Sequence, residues 1–282
     1  MKDDVLKSTV ATKRAGIFAA NRSIGGIKLS VDVRDGITRR KRVAEDGPLR
    51  VRFPTPQAAD LEAVIVNTAG GIAGGDRHAL DISAQENAQL TVTTAAAEKV
   101  YRALGPAAEI EIKLNVAAGA RLSWLPQETI LFDRCRLSRR IDVELERHAT
   151  LIMAEMVVFG RSAMGEAVDT GSFTDRWRAR RDGRLLFAET VRLDGAVAEM
   201  LAEPAVARGG IAIATVLVVP ADDAMVARVR AISGEFSGEV GISAWNGLAV
   251  ARLCAKDGAS LRHDLTCVLT SLGASLPRIW LN

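Results

Sequence analysis

The 282-residue chain is poor in aromatics, cysteine and histidine, and it has no long apolar run. Aromatic residues are 4%, with a single tyrosine, Tyr101. So few rings leave little material for the stacking platforms of a carbohydrate-active hydrolase on a β-solenoid. The three cysteines, Cys135, Cys254 and Cys267, are odd in number and lack CxxC spacing. A disulfide framework and a zinc ribbon are therefore excluded, and a reducing, cytoplasmic compartment fits best. His78, His148 and His263 form no HxH, HxxxH or HExxH. No tight imidazole site is written locally, and each histidine reads as an ordinary core or surface residue. The most apolar stretch, IAIATVLVVP (211–220), is ten residues long, against the roughly 20 that a membrane-crossing helix needs. The N-terminal MKDDVLKSTV carries two acids and no apolar segment of a secretory signal. Charge is nearly balanced, 37 basic against 34 acidic residues for a net +3. No nucleic-acid or membrane partner is indicated. Basic clusters at 39–42, 134–140 and 176–184 are mostly interleaved with acids. They read as solvated faces, or alternatively as a docking surface for an acidic partner.

What is present is mostly strand. Hydrophobic residues at 48% and charged residues at 25% describe an ordinary globular chain. IKLSVDVR (27–34), LRVRF (49–53), HALDIS (78–83), EIEIKLNV (109–116) and RRIDVELE (139–146) alternate apolar and polar residues. That period of two puts one face in a core and the other in water. AVIVNT (63–68) is a continuous apolar run and predicts a strand buried on both faces. Two alternating arms around Asp182-Gly183 predict a hairpin over 173–193. Helices are expected late, over 222–233 after two aspartates and over 258–275 before Pro277. The reading is one domain over 1–282, strand-rich to 220 and helix-containing from 221.

An internal repeat runs through the middle. Leu80-Ile82, Ile112-Leu114 and Ile141-Val143 each lead through a turn to a second alternating stretch: AQLTV, ARLSW and ATLIM. Their leucines, Leu90, Leu122 and Leu151, are 32 and 29 residues apart. A two-strand unit of that length buries its apolar face only by stacking on the next. The expected fold is therefore mostly β, layered and β-helix-like (solenoid-type), with two C-terminal helices.

Two features carry candidate chemistry. The first is the loop Gly70-Gly71-Ile72-Ala73-Gly74-Gly75-Asp76-Arg77. Gly70 and Gly75 have P-loop spacing, but Asp76 and Arg77 stand where Lys and Ser/Thr belong. A carboxylate there repels phosphate. The glycines Gly70, Gly71, Gly74 and Gly75 instead suit a tight loop with close backbone packing. The second is a set of acids in apolar surroundings: Glu98, Glu128, Glu155 and Glu166. Glu98, Glu128 and Glu155 fall eight, six and four residues after the repeat leucines, which places them near one another along the stack. Buried carboxylates are usually paired with Arg or Lys; the alternative is an oxygen-lined internal path. No GxSxG, SxxK or catalytic-cysteine pattern occurs.

VNTAGGIAGGDR (66–77), TTAAAEKVYR (93–102), WLPQETILFDRCRLSRR (124–140) and FGRSAMGE (159–166) together resemble the UreD (UreH) family of urease accessory proteins. The resemblance implies a non-enzymatic scaffold that binds urease apoprotein and UreF directly and reaches the GTPase UreG through UreF. It implies help in delivering nickel to urease, with no tightly bound cofactor and nickel(II) only in transit, and an internal passage for that ion. The path residues it implies are Asp76, Glu98, Glu128 and Glu166; Glu155 is added from the repeat geometry. Scattered oxygen ligands suit such a path, because passage needs easy exit as well as entry. A pure adaptor clamp with no metal passage is the alternative.

Overall fold

Alternation is converted into strand pairing almost throughout the computed structural model, which describes residues 22–55, 60–161 and 164–281. The N-terminal MKDDVLKSTV, and Ser162 and Ala163 of FGRSAMGE, lie outside the described residues. In chain order the strands are β1 (Ile24–Arg34), β2 (Ile37–Asp46), β3 (Leu49–Arg52), β4 (Leu61–Asn67), β5 (Arg77–Ala84) and β6 (Gln89–Thr94). There follow β7 (Glu98–Val100), β8 (Ala108–Val116), β9 (Arg121–Trp124), β10 (Thr129–Leu131), β11 (Arg136–Leu145) and β12 (Thr150–Phe159). The series ends with β13 (Thr170–Arg181), β14 (Arg184–Ala196), β15 (Ala212–Val219), β16 (Glu239–Trp245) and β17 (Leu248–Ala255). The helices are α1 (Val197–Ala202), α2 (Asp223–Ala231) and α3 (Gly258–Ser271).

The first sheet runs β14-β13-β11-β8-β5-β1-β2 and the second β16-β17-β15-β12-β9-β6-β4-β3, with β7 and β10 at the side of the second. From β4 to β13 the chain crosses between the sheets, and like strands stack in parallel. This is the solenoid stack that the repeat predicts. Leu61, Leu90, Leu122 and Leu151 are direct neighbours on successive strands. In the facing sheet Ile27, Leu80, Ile112, Ile141 and Trp177 form the matching row. Both rows belong to one buried cluster.

Near residue 200 the pairing mode changes. β15, β17 and β16 extend the second sheet in antiparallel fashion. The helices α2 and α3 lie over that extension and enclose a second apolar cluster with Val226, Val229, Leu261, Leu265 and Val268. Asp222 caps α2 by accepting from Met225 N–H, and Asp257 caps α3 by accepting from Ser260 N–H. The hairpin over 173–193 is present as β13–β14. Asp182 and Gly183 both have positive φ (49° and 76°), as a two-residue type I′ turn requires.

Two sequence readings need correction. AVIVNT is not buried on both faces: in β4, Leu61, Ala63 and Ile65 are buried while Glu62, Val64 and Val66 are half-buried. The strand with both faces covered is β12, fully buried from Leu151 to Phe159, because the first sheet lies on one side and the helical cluster on the other. The helix expected over 258–275 stops at Ser271. Gly273, at φ 79°, donates to Thr270 O, and Ala274 donates to Leu269 O. This double bond pattern ends the helix before Pro277 is reached.

The outer face of the first sheet carries a charge ladder, Lys28–Asp81–Lys113–Asp142–Arg178, in which each residue is the direct cross-strand neighbour of the next. Opposite charges in such positions contribute roughly 0.2–1 kcal/mol per pair. Asp81→Lys places three cations side by side. We expect it to lower stability by about 1 kcal/mol in urea unfolding at low salt, with the loss shrinking at 1 M salt.

Candidate functional site: a polar layer across the core

Between the sheets one row breaks the apolar pattern. Beside Trp177–Ile141–Ile112–Leu80, the next inward row of the first sheet reads Asp175–Arg139–Ile110–His78. The row beyond it returns to Phe173–Leu137–Ala108. A polar layer thus separates two apolar clusters of the sandwich. The second sheet answers it with Glu155 of β12, Thr94 of β6, Glu98 of β7 and Thr129 of β10. These side chains surround a cavity of about 70 Å³ together with His78, Gln127, Arg139 and Trp124. That is room for about two water molecules, or for a partly dehydrated cation.

Arg139 is the centre of the layer. Its Nε and Nη2 donate to the two oxygens of Asp175 at 3.0 and 2.6 Å, and Nη1 donates to Glu155 Oε2 and to Thr129 Oγ1 (3.3 Å). Trp124 Nε1 donates to the other Glu155 oxygen at 2.7 Å. All three ionic side chains are buried, with 7% or less exposed. Burial by itself lowers the Arg139 pKa, but Asp175 and Glu155 outweigh it and raise it further above its ordinary value.

Glu98 is held differently. Among the described residues no Arg or Lys pairs with it; Asn67 Nδ2 donates to its oxygens at 3.1 and 3.2 Å. Burial pushes its carboxyl from an ordinary 4.5 up to about 7; the Asn67 hydrogen bond opposes the rise and the Asp76 charge adds to it. His78 is pushed down by burial, against the pull of Asp76, and its Nε2 lies 3.0 Å from Ser23 Oγ. The cavity therefore pairs a carboxyl that titrates near neutrality with an imidazole that resists protonation. Gln127 Nε2 is buried without a hydrogen-bond partner among the described residues.

The remaining sequence candidates occupy other places. Both Asp76 oxygens accept backbone N–H groups, from Ser23 (2.9 Å) and Ala73 (2.7 Å), so Asp76 pins the glycine loop. In that loop Gly70 and Gly75 adopt positive φ (76° and 88°). Gly71 also has a positive φ (153°), and a Cβ there would lie 2.8 Å from Lys99 O; a Cβ on Gly74 would lie 2.6 Å from Ala103 Cβ and 2.8 Å from Pro106 O. Glu128 is ion-paired with Arg262 of α3, whose guanidinium lies over Trp280, and so fastens that helix to the strands. Glu166 is ion-paired with Arg161, which lies over the Phe132 ring. Of the five acids the structure brings Glu98 and Glu155 to one cavity, with Asp76 behind His78, and leaves Glu128 and Glu166 at separate ion pairs. Among the described residues no group of three or more His, Cys, Asp or Glu is placed to hold a metal ion. No described helix is long and apolar enough to cross a membrane.

Sequence reasoning read His78 as an ordinary core or surface residue and passed over Arg139 and Asp175. A signal was available: each sits at an inward position of an alternating strand, His78 two before Leu80, Arg139 between Leu137 and Ile141, and Asp175 between Phe173 and Trp177.

Comparison with known proteins gives a consistent result. Residues 23–281 match the family model described as UreD urease accessory protein. The chain is 60% identical over 268 residues to the urease accessory protein UreD of Bradyrhizobium diazoefficiens, covering 95% of this chain and 97% of that one. It is 58% identical over 268 residues to the protein of that name from Rhodopseudomonas palustris strain BisA53, covering 95% and 94%. With the strain BisB18 protein the identity is 59% over 272 residues, covering 96% and 98%.

Proposed function

The chain belongs to the UreD urease accessory protein family, and from that membership we propose that it is a non-catalytic scaffold that helps nickel reach the urease apoprotein. In this reading it binds the apoprotein and UreF, with UreG joined through UreF and supplying the GTP chemistry. Nickel(II) is cargo. It passes through the polar layer and is held briefly by oxygen ligands rather than by a tight cluster. The observation that carries this is the cavity of about 70 Å³ with Glu98, His78 and Glu155 on its wall, inside a sandwich that is otherwise apolar. Polar groups buried without need are costly, and Glu98 lacks the arginine that accounts for Glu128 and Glu166. A role in the cavity supplies a reason for it to be there.

The test is urease made with Glu98→Lys or Glu98→Gln variants of this chain. An ammonium in the cavity repels a divalent cation, so Glu98→Lys lowers the nickel content of co-expressed urease at least tenfold, and Glu98→Gln lowers it less. Both variants still co-purify with UreF and urease. Unchanged nickel content in a complex carrying Glu98→Lys would remove the passage. The second reading, an adaptor clamp through which no metal passes, draws on the ion pairs of Glu128, Glu155 and Glu166. It is the outcome in which both variants assemble and load fully.

A further inference from the structure

The inner cavity is one of a series. A smaller space of about 20 Å³ adjoins it and shares Glu155 as a wall; Asp175 lines this second space. The second space in turn shares Val191, Ile213, Ala214 and Thr215 with a groove of about 550 Å³ beside β14 and β17. Between the two spaces lie Glu155, which borders both, and the Arg139 guanidinium, which borders the inner cavity and is bonded to Glu155 and to Asp175 of the second space.

We propose that Glu155 and Asp175 form a divalent-cation site that Arg139 occupies as a tethered cation, so that the guanidinium is the removable closure between inner cavity and outer groove. This rests on the reading that a metal ion passes through the polar layer. The two carboxylates and one guanidinium carry a net charge of −1 as a buried group. An arginine does not deprotonate in a protein, so the closure opens by displacement of the side chain. Withdrawal alone leaves two uncompensated buried anions, which is strongly unfavourable. A divalent cation entering as Arg139 leaves neutralises both carboxylates, whereas a monovalent ion neutralises one. The donors that remain are carboxylate and hydroxyl oxygens, including Thr129, which now accepts from Arg139. Such a set suits brief residence of a transition-metal ion better than thiolate or imidazole ligands would. Glu98, on the wall of the same inner cavity, is the carboxyl that a withdrawn guanidinium meets.

The test uses the full chain with Ni²⁺ as the probe, in Arg139→Met, Arg139→Lys and the triple variant Arg139→Met/Glu155→Gln/Asp175→Asn. Equilibrium dialysis and thermal unfolding are read for each. We expect Arg139→Met to bind Ni²⁺ at least tenfold more tightly than the unsubstituted chain and to gain thermal stability from it. The triple variant loses both gains. Arg139→Lys cannot fork both carboxylates and binds with intermediate affinity. If Arg139→Met does not fold even with Ni²⁺, Arg139→Lys decides alone. The proposal is overturned if the folded arginine variants bind Ni²⁺ no more tightly than the unsubstituted chain, or if the gain persists in the triple variant. That failure is separable from failure of the delivery reading. If Glu98→Lys still starves urease of nickel, delivery through the inner cavity stands and only the arginine closure falls.

Discussion

Leu122→Ala is expected to lower the free energy of unfolding by about 3 kcal/mol, within the 2–5 kcal/mol typical of such core truncations. Leu122 is fully buried and stands in the middle of a row made of Leu61, Leu90, Leu122, Leu151 and Val219, with a residue of the row on either side of it. The stacked strands on both sides hold its place open, so the site cannot collapse to fill the void. Leu122→Met keeps most of the volume and should cost less than about 1.5 kcal/mol. Leu185→Ala, at a position 56% exposed, should stay within about 0.5 kcal/mol. Urea midpoints of the three variants check the ordering. A loss below about 1 kcal/mol for Leu122→Ala would mean that the stacked rows are not where this fold stores its stability.

The second large effect is a pH dependence that Glu98 creates and Glu98→Gln removes. The folded chain binds the Glu98 proton more tightly than the unfolded chain, because burial, with Asp76 nearby, raises the carboxyl from 4.5 to about 7. The associated stability is complete below pH 4.5 and is lost as pH rises through about 7. One pKa unit corresponds to about 1.4 kcal/mol, so the loss approaches roughly 3 kcal/mol. Glu98→Gln carries no such slope. It should gain on the unsubstituted chain by that amount between pH 4.5 and pH 8, as read from urea unfolding across the range. His78, pushed down by burial, imposes the opposite slope at acid pH. That slope is common to both chains and cancels in the comparison. Parallel pH profiles would show that Glu98 is ionised in the folded protein in the ordinary way. Near neutral pH the same carboxyl changes charge within the cavity.

Much of the architecture was legible because stacking repeats leave a period. Leu90, Leu122 and Leu151 keep one register in the chain, and they are paired neighbours in the sheet. Asp222, in the acidic pair that the sequence reading used, marks the start of α2 because a short acidic side chain reaches the free N–H groups of a first turn; the structure shows Asp257 capping α3 in the same way. The stop of α3 was misplaced because Pro277 is conspicuous, while Gly273 acts through a left-handed backbone that any glycine permits and few require. AVIVNT and the β12 segment are both largely apolar runs. Which of them is covered on two sides depended on where α2 and α3 come to rest.

The glycine loop was read as a tight loop from its residues, and its aspartate as a metal-path ligand by resemblance. The structure gives Asp76 two backbone donors, while burial raises the carboxyls of Glu98 and Glu155 instead. The polar layer itself was missed because Arg139 lies among arginines in CRLSRR. Arg136 and Arg140 of that run face outward and Arg139 inward.

By itself the chain's alternation and its period of about thirty determined that strands stack in layers, and its motifs determined the family. Which charges meet was decided only by tertiary structure. Arg139 lies 16 residues from Glu155 and 36 from Asp175. Alternation tells which way a side chain points, but not which residue of the opposite sheet it faces. That depends on how two sheets register across a gap, a relation set by packing of the whole core and written in no local stretch of sequence.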